Sequence, residues 1–251
     1  MDFSLWLALA AVAVVVGFFI GTVGVGGILL IPALIWLGGV PIHLATATAL
    51  FSFLFTGLAG TWLFQRRGSI DWNITLPVLA GAVFFGYLGA MANAMVNGHA
   101  LALIIGMLIV FAGAFILLHS QREPARYRDG RSRPQQLLLL IVGALAGFGS
   151  GLSGAGGPLF SVPMMLALGF APLAAIGASQ VLQIVAALFG TLGNLQFGAI
   201  DFPLAAWITV FELVGAAVGA RAAHAASMAV LRRTAAGLCL LTGLLMLARS
   251  L

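Results

Sequence analysis

Long apolar runs follow one another along almost the whole chain, and each is about 17 to 25 residues long. A run of that length crosses the hydrocarbon core of a bilayer as a helix, and the sequence lacks the short alternating segments of barrel strands. Only 7% of the residues are charged and 62% are hydrophobic, whereas a soluble surface is normally about 25 to 35% charged. The sequence therefore predicts an all-α, polytopic membrane protein.

Two of the apolar runs are interrupted by glycines, GTVGVGG at 21–27 and GSGLSGAGGP at 149–158. Aligning residues 17–118 with residues 147–248, with a one-residue adjustment, superimposes the interruptions and the prolines and G-x-I-D turns that follow. The matched positions are Gly21 with Gly151, Gly24 with Gly154, Gly26 with Gly156, Gly27 with Gly157, Pro32 with Pro163, Pro41 with Pro172 and Asp71 with Asp201. This self-similarity indicates a tandem duplication.

The duplication divides the chain into a first repeat at 1–119, an Arg-rich linker at 120–136 and a second repeat at 137–251. Each repeat is predicted to hold one glycine-broken run, at about 3–38 and about 137–169, followed by three plain spans. The spans fall at about 43–65, 72–96 and 100–118 in the first repeat and at about 173–195, 203–222 and 230–248 in the second.

The positions of the eleven arginines indicate how the repeats are oriented. If each broken run crosses the membrane once, the repeats are parallel and Arg221, Arg232 and Arg233 lie outside. If each broken run is a hairpin that returns to its own side, the repeats are inverted and only Arg249 lies outside. Because cytoplasmic loops are enriched in Arg, the sequence favours two inverted repeats with both termini outside.

The expected lengths of the hairpin arms agree with inverted repeats. Helices at 137–152 and 158–169 would be roughly 24 Å and 18 Å long, each shorter than the ~30 Å hydrocarbon core. Two such hairpins entering from opposite faces bring their glycine tips together near the midplane, where unwound backbone needs surrounding protein or water. Inverted repeats with broken helices that meet at mid-membrane are typical of secondary transporters.

The second arm of each hairpin begins just after a glycine pair, at about Ile28 and Pro158. A helix N-terminus has free N–H groups and a partial positive charge, so two of them facing one cavity suit an anion. The predicted substrate site therefore includes the tip residues Gly24, Gly26, Gly27, Ser153, Gly154, Gly156 and Gly157. The alternative is that these glycines only let helices pack closely.

The same stretches resemble a known family. GTVGVGGILLIPALIWLGGVPIHLATATALF and GLSGAGGPLFSVPMMLALGFAPLAAIGASQ, each followed by a G-x-I-D turn, are similar to the paired motifs of the sulfite exporter TauE/SafE family. The resemblance covers nearly the whole chain. It implies a permease of the bacterial inner membrane, in a family whose named members transport small sulfur oxyanions or organosulfonates.

Polar residues follow each hairpin. Thr48, Ser52 and Thr56 recur every four residues and so share one helix face. An amide in hydrocarbon needs several partners, which makes glutamines candidates as well. The residues predicted to line the substrate pathway are Thr48, Ser52, Ser179, Gln180 and Gln183. The alternative for the hydroxyls is a bond to their own helix or to a neighbouring helix.

Three carboxylates lie at or within the spans. Asp71 and Asp201 occupy matching positions just before spans and are predicted to be helix N-caps. Glu212 lies in the middle of a span, where an ionised carboxylate costs several kcal/mol unless it is paired or protonated. Both proton coupling and a structural, hydrogen-bonded role stay open for Glu212.

The sequence predicts no metal site and no cofactor. His43 and His224 lie near segment ends, where a solvated side chain is more common than a ligand, and the single cysteine, Cys239, is expected to pack in the core. The chain has no Walker-type G-x-x-x-x-G-K and no Lys at all, so direct use of ATP is not expected. The net charge of +5 comes from arginines at span edges and in loops, so no nucleic-acid partner is expected.

An alternative from another class is an intramembrane protease. GLSG at 151–154 matches the G-x-S-G of rhomboid proteases, in which a serine at a helix start pairs with a histidine of another helix. The position that matches Ser153 in the first repeat is Val23, and in the inverted topology His224 falls at the cytoplasmic end, away from a midplane serine. The sequence therefore favours a protein that is not an enzyme.

These observations predict a multi-pass secondary carrier of the bacterial inner membrane that exports a small anion, either sulfite or an organosulfonate such as sulfoacetate. An anion channel is the alternative within the transport class. The expected partners are the anion and the lipid bilayer, and a homodimer is left open.

Overall fold

The computed structural model describes residues 3–23, 27–119, 128–225 and 228–250. In these ranges all regular elements are α-helices, apart from an isolated β-bridge between Arg128 and Phe170. The helices are α1 Phe3–Val23, α2 Gly27–Trp36, α3 Ile42–Arg66, α4 Trp72–Met95, α5 Gly98–His119, α6 Arg133–Ser153, α7 Pro158–Ala167, α8 Pro172–Phe197, α9 Phe202–Ala225 and α10 Met228–Ser250.

Within the described residues, seven helices are long and apolar enough to cross a membrane, namely α1, α3, α4, α5, α6, α8 and α9. The prediction of an all-α, polytopic membrane protein is therefore confirmed. Large apolar side chains such as Phe84, Met95 and Phe111 point outward and are exposed, as expected of surfaces that face lipid. Three buried apolar clusters fill the interior of the described structure, one centred on α1, α2, α3 and α5, one on α4, α6, α7 and α8, and a smaller one that includes Phe64, Val162 and Ile176.

Each broken run forms one long and one short helix. The long helices α1 and α6 have 21 residues each, about 31 Å, and the short helices α2 and α7 have 10 residues each, about 15 Å. The predicted length of the first arm in the second repeat is wrong, because α6 begins at Arg133 and not at residue 137. Pro134 in its first turn favours this earlier start, since its φ is already helical and a helix start leaves its N–H unused.

Two pairs of helices pack side by side in the same direction, α1 along α9 and α6 along α4. In each pair, a contact that lies further along one helix also lies further along the other. The contacts are Trp6 with Trp207 and Gly21 with Ala220 in the first pair, and Gly143 with Val78 and Gly151 with Ala90 in the second. The approach is so close that a Cβ on Gly143 would collide with the carbonyl oxygen of Val78.

Helices that correspond between the repeats cross each other in opposite directions. This holds for α3 and α8, and also for α5 and α10. The contacts are Leu50 with Gly190 and Gly60 with Gln180 in the first pair, and Gly106 with Leu247 and Gly113 with Ala236 in the second. In the repeat alignment, α1 corresponds to α6, and α9 corresponds to α4. The α1–α9 pair of one half therefore matches the α6–α4 pair of the other, and the α3–α8 crossing matches itself.

Candidate functional site

The break in the second repeat is a tight turn between the end of α6 and the start of α7. Gly154 has a φ of 69° and Gly156 a φ of 87°, both in the left-handed region that favours glycine. The Ser153 hydroxyl donates to the carbonyl of Gly149 at 2.7 Å and accepts from the N–H of Ala155 at 3.2 Å. Ser153, which we predicted as a substrate ligand, thus helps to shape the turn.

The breaks of the two repeats touch each other. Gly27, the first residue of α2, packs against the carbonyl of Ala155 and the ring of Phe53. Gly156 approaches the same ring, since a Cβ on it would lie 3.4 Å from Phe53 Cδ2. Phe53 lies close to the middle of α3, so the breaks meet about halfway along the bundle.

The start of α7 offers backbone N–H groups to a ligand. Within the described part of the chain, the N–H groups of Gly156 and Gly157 meet no acceptor. The start of α2 at Gly27 lies beside this turn, and two neighbouring helix N-termini attract negative charge. Gly24 and Gly26, predicted at the tip of the first break, lie outside the described residues.

Amides from neighbouring helices satisfy carbonyls at the interrupted helix ends. Gln180 of α8 donates through Nε2 to the carbonyl of Ile20, in the last turn of α1, at 3.2 Å. Asn93 of α4 donates through Nδ2 to the carbonyl of Leu152, in the last turn of α6, at 2.6 Å. The last carbonyls of a helix have no partner within it, so a buried end needs such donors.

Asn93 is a site residue that the sequence analysis missed. It is buried, and its Nδ2 also donates to Thr46 Oγ1 at 3.2 Å, while its Oδ1 lies 3.0 Å from His43 Nδ1. Because the Leu152 carbonyl can only accept, it fixes the amide orientation, and Nδ1 of His43 must be the donor to Oδ1. The available signal was an amide inside the apolar run AMANAM.

Gln183 joins α8 to α3 near the breaks. Its Nε2 donates to the carbonyl of Phe53 at 3.0 Å and to Thr56 Oγ1 at 2.8 Å. Since Phe53 packs against both breaks, this amide holds the wall next to the site. The amide of Gln180 has one unsatisfied atom, because its Oε1 is buried without a hydrogen-bond partner within the described residues.

The predicted hydroxyl stripes mainly make structural hydrogen bonds. Thr48 Oγ1 accepts from the backbone N–H of Asp201 at 3.1 Å, at the turn between α8 and α9. Ser52 donates to the carbonyl of its own helix at Ala49, at 2.8 Å. Ser179 bonds to the Ser161 hydroxyl of α7 at 2.7 Å. Of the three, Ser52 also faces a carboxyl group, that of Glu212.

Glu212 of α9 is fully buried, and neither of its carboxylate oxygens has a hydrogen-bond partner in the described structure. Its backbone packs against Gly17 of α1, and its carboxyl group faces Ser52 of α3. The matching position in the first repeat is Ala82. This buried carboxyl group therefore has no counterpart in the other half.

The two aspartates behave as predicted. Asp71 accepts the N–H of Asn73 at 2.9 Å, and Asp201 accepts the N–H of Leu204 at 3.0 Å, so both are helix N-caps. Cys239 is buried in the apolar core, also as predicted. The side chain of His224 lies outside the described part of the structure. Among the described residues, no three His, Cys, Asp or Glu side chains are grouped so as to hold a metal ion.

Membrane-length helices around two interrupted helices that meet halfway along the bundle are the architecture of a membrane transporter. Comparison with known proteins gives the family. The chain belongs to the sulfite exporter TauE/SafE family, whose model matches residues 9–246. The predicted resemblance and the multi-pass membrane location are thereby confirmed.

Relatives of this chain carry matching names. It is 29% identical to the probable membrane transporter protein YdhB of Bacillus subtilis, over 82% of this chain and 85% of the relative. It is 26% identical to the probable membrane transporter protein ORF9 of a Sinorhizobium species, over 92% of this chain and 88% of the relative. No solved structure matches the chain. The relatives' names give transport as the activity and no substrate.

Proposed function

We propose that this transporter exports a small anion, either sulfite or an organosulfonate such as sulfoacetate, across the bacterial inner membrane. The observation that carries the proposal is the meeting of the two helix starts, with Gly27 against Ala155 and the N–H groups of Gly156 and Gly157 unused within the described chain. Free N–H groups at helix starts bind oxyanions without needing a basic side chain. The description of the family as sulfite exporters agrees with this class of substrate.

The anion is proposed to bind between the two breaks, where only glycine leaves room for a close approach to the backbone. The tip residues of this site are Gly24, Gly26, Gly27, Ser153, Gly154, Gly156 and Gly157. Side chains of α3 and α8 complete its wall, namely Thr48, Ser52, Ser179, Gln180 and Gln183. Ser153 contributes by holding the turn, because its hydroxyl bonds to the backbone of Gly149, before Gly154, and of Ala155, after it.

We further propose that the two repeats are inverted in the membrane. The support is that corresponding helices, α3 with α8 and α5 with α10, run in opposite directions. In this arrangement the two hairpins enter from opposite faces, and both termini lie outside. Such inversion lets a carrier open alternately to either side around one central site.

Proton coupling is proposed for Glu212. A fully buried carboxyl group without a partner is costly when ionised, so it is stable there mainly in its protonated form. It faces Ser52 of α3, the helix whose Phe53 packs against both breaks. A proton bound at Glu212 is therefore close enough to influence helices that surround the anion.

The surroundings of Ser153 argue against the protease alternative. A serine nucleophile needs a general base that accepts its proton. The hydroxyl of Ser153 donates instead to the backbone carbonyl of Gly149. The geometry therefore favours transport over proteolysis.

A binding screen of the purified protein tests the proposed substrate class. Sulfite, sulfoacetate and isethionate should raise Tm in a concentration-dependent way. At a ligand concentration of a hundred times Kd, the free energy of unfolding should rise by about 2.7 kcal/mol. Acetate, a carboxylate with the same single charge as isethionate, is the control for isethionate and should have a weaker effect. Stabilisation by acetate but by none of the sulfur oxyanions would contradict the proposed substrate class.

A further inference from the structure

Three buried hydroxyl oxygens have no hydrogen-bond partner in the described structure, those of Thr61, Ser150 and Thr191, and the last two lie in the second half of the chain. Ser150 of α6 is fully buried and Thr191 of α8 is 6% exposed, and neither side-chain oxygen has a hydrogen-bond partner among the described residues. Other buried hydroxyls here donate to their own helix, as Ser153 does to the carbonyl of Gly149. Ser150 and Thr191 are therefore donors without acceptors, a costly state for groups shielded from water.

The helix register brings Thr191 next to Ala49. On the crossing of α3 and α8, Gly60 contacts Gln180 and Leu50 contacts Gly190. Because the helices run in opposite directions, the residue that follows Gly190 lies opposite the residue that precedes Leu50. That pair is Thr191 and Ala49, and Ala49 is fully buried.

The register of α6 brings Ser150 to the same place. Gly154 packs against the backbone of Thr46 at the start of α3, and its N–H donates to the carbonyl of Ser150 at 2.8 Å. α6 runs opposite to α3, so one turn back along α6 corresponds to one turn forward along α3. Ser150 therefore lies level with Ala49 along the bundle, one helical turn from Gly154.

The matching place in the other half of the bundle is filled. The residues that correspond to Ser150 and Thr191 are Ile20 and Gly60, and both contact the side chain of Gln180. Gln180 corresponds in turn to Ala49. Where one half has a long amide between a backbone carbonyl and a glycine, the other has the methyl group of Ala49 and the hydroxyls of Ser150 and Thr191.

We infer that Ser150 and Thr191 form a subsite that binds an oxygen of the transported anion as it passes the break of the second repeat. This inference rests on the proposed function, since the ligand class is the same small oxyanion. Hydroxyl groups without acceptors can both donate to one anionic oxygen. In the counterpart the side chain of Gln180 occupies this position. The anion is therefore held more closely by the second repeat than by the first.

The test compares the wild type with the double variant Ser150→Ala/Thr191→Val by Tm, with and without sulfite or sulfoacetate. Removing hydroxyls that have no partner should leave the Tm of the unliganded protein unchanged or raised. The anion affinity should fall about tenfold for each hydroxyl lost, the usual range for a bond to a charged group. Thr75→Val is the matched control, because Thr75 is equally buried but donates to the carbonyl of Asp71 at 2.8 Å. It should change anion affinity by less than about twofold.

A second variant tests the space itself. Ala49→Gln introduces into the subsite the side chain that Gln180 has in the other half, and it should reduce anion affinity about tenfold or more, as the double variant does. If the double variant and Ala49→Gln both bind the anion as the wild type does, the hydroxyls hold only buried water and the inference is wrong, while the proposed function stands. A double variant that no longer folds would also contradict it, because the hydroxyls would then be structural. If the wild type itself binds none of the anions, the proposed function fails and the subsite with it.

Discussion

Buried polar side chains in this bundle fall into two groups by what they leave unpaired. Asn93 and Gln183 use their amide donors on carbonyls and hydroxyls of neighbouring helices. Glu212 leaves both carboxyl oxygens without a partner, and Gln180 leaves Oε1 without one, within the described residues. The donors of Asn93 and Gln180 explain how interrupted helices persist in an apolar interior, since the free carbonyls at the ends of α6 and α1 need donors. The second group consists of residues for which a ligand or a proton would supply the missing partner.

Glu212→Gln tests whether that proton is coupled to transport. The amide keeps the shape of the side chain but cannot exchange a proton, so anion flux in proteoliposomes should lose its pH dependence while anion affinity changes by less than about threefold. Isethionate is the suitable probe because its sulfonate stays ionised throughout the range of the assay. Asp201→Asn is the control, since Asn also caps helices well. Unchanged pH dependence in Glu212→Gln would return Glu212 to a structural role.

At the scale of helices, the sequence pattern predicted where most elements lie. The plain spans agree with α3, α4, α5, α8, α9 and α10 to within three residues at each end, because apolar length and flanking Pro, Gly and Asp mark them clearly. The start of α6 was placed four residues too late, since the polar residues 133–136 resemble a loop although Pro134 favours a helix start.

The site was predictable only in part. The paired glycines indicated where the backbone leaves the helix, and Gly154 and Gly156 do adopt the left-handed conformation. The partners of the broken ends were not predictable, because Asn93 lies far from Leu152 in sequence and meets it only through the packing of α4 on α6. Likewise, no local pattern distinguishes Ser150, which lacks a partner, from Ser153, which bonds to its own helix.

A substitution at the break tests whether the turn binds the anion. Gly156→Ala adds a methyl group beside the unused N–H groups, so anion affinity should fall about tenfold or more. The change also strains the backbone, because Gly156 has a φ of 87°. Gly39→Ala is the matched control, since Gly39 also has a positive φ, 62°, and no atom within 4 Å of an added Cβ.

Both variants should lose similar stability, about 1 to 2 kcal/mol from the strained backbone. Gly39→Ala should bind sulfite and sulfoacetate like the wild type. If Gly156→Ala folds and binds these anions as well as Gly39→Ala does, the break is a packing device and the proposed anion site is wrong.

At the scale of the whole molecule, we propose that the two halves of the chain are inverted repeats, and the directions of corresponding helices support this. α3 and α8 cross in opposite directions, and so do α5 and α10, while the pairs α1–α9 and α6–α4 each run parallel. This geometry is what two hairpins from opposite faces require if their tips are to meet at one site. The proposed transport through alternate opening depends on this geometry, because a central site reached from either side needs both breaks.

Labelling of single cysteines in the two G-x-I-D turns tests the inverted arrangement most directly. Ser69 and Ala199 occupy equivalent positions in those turns, between α3 and α4 and between α8 and α9. The wild type is the blank, because its single cysteine, Cys239, is buried. In intact cells an impermeant maleimide should label Ala199→Cys from outside, and should label Ser69→Cys only after the membrane is permeabilised. Labelling of both turns from the same side would contradict inverted repeats and the transport mechanism built on them.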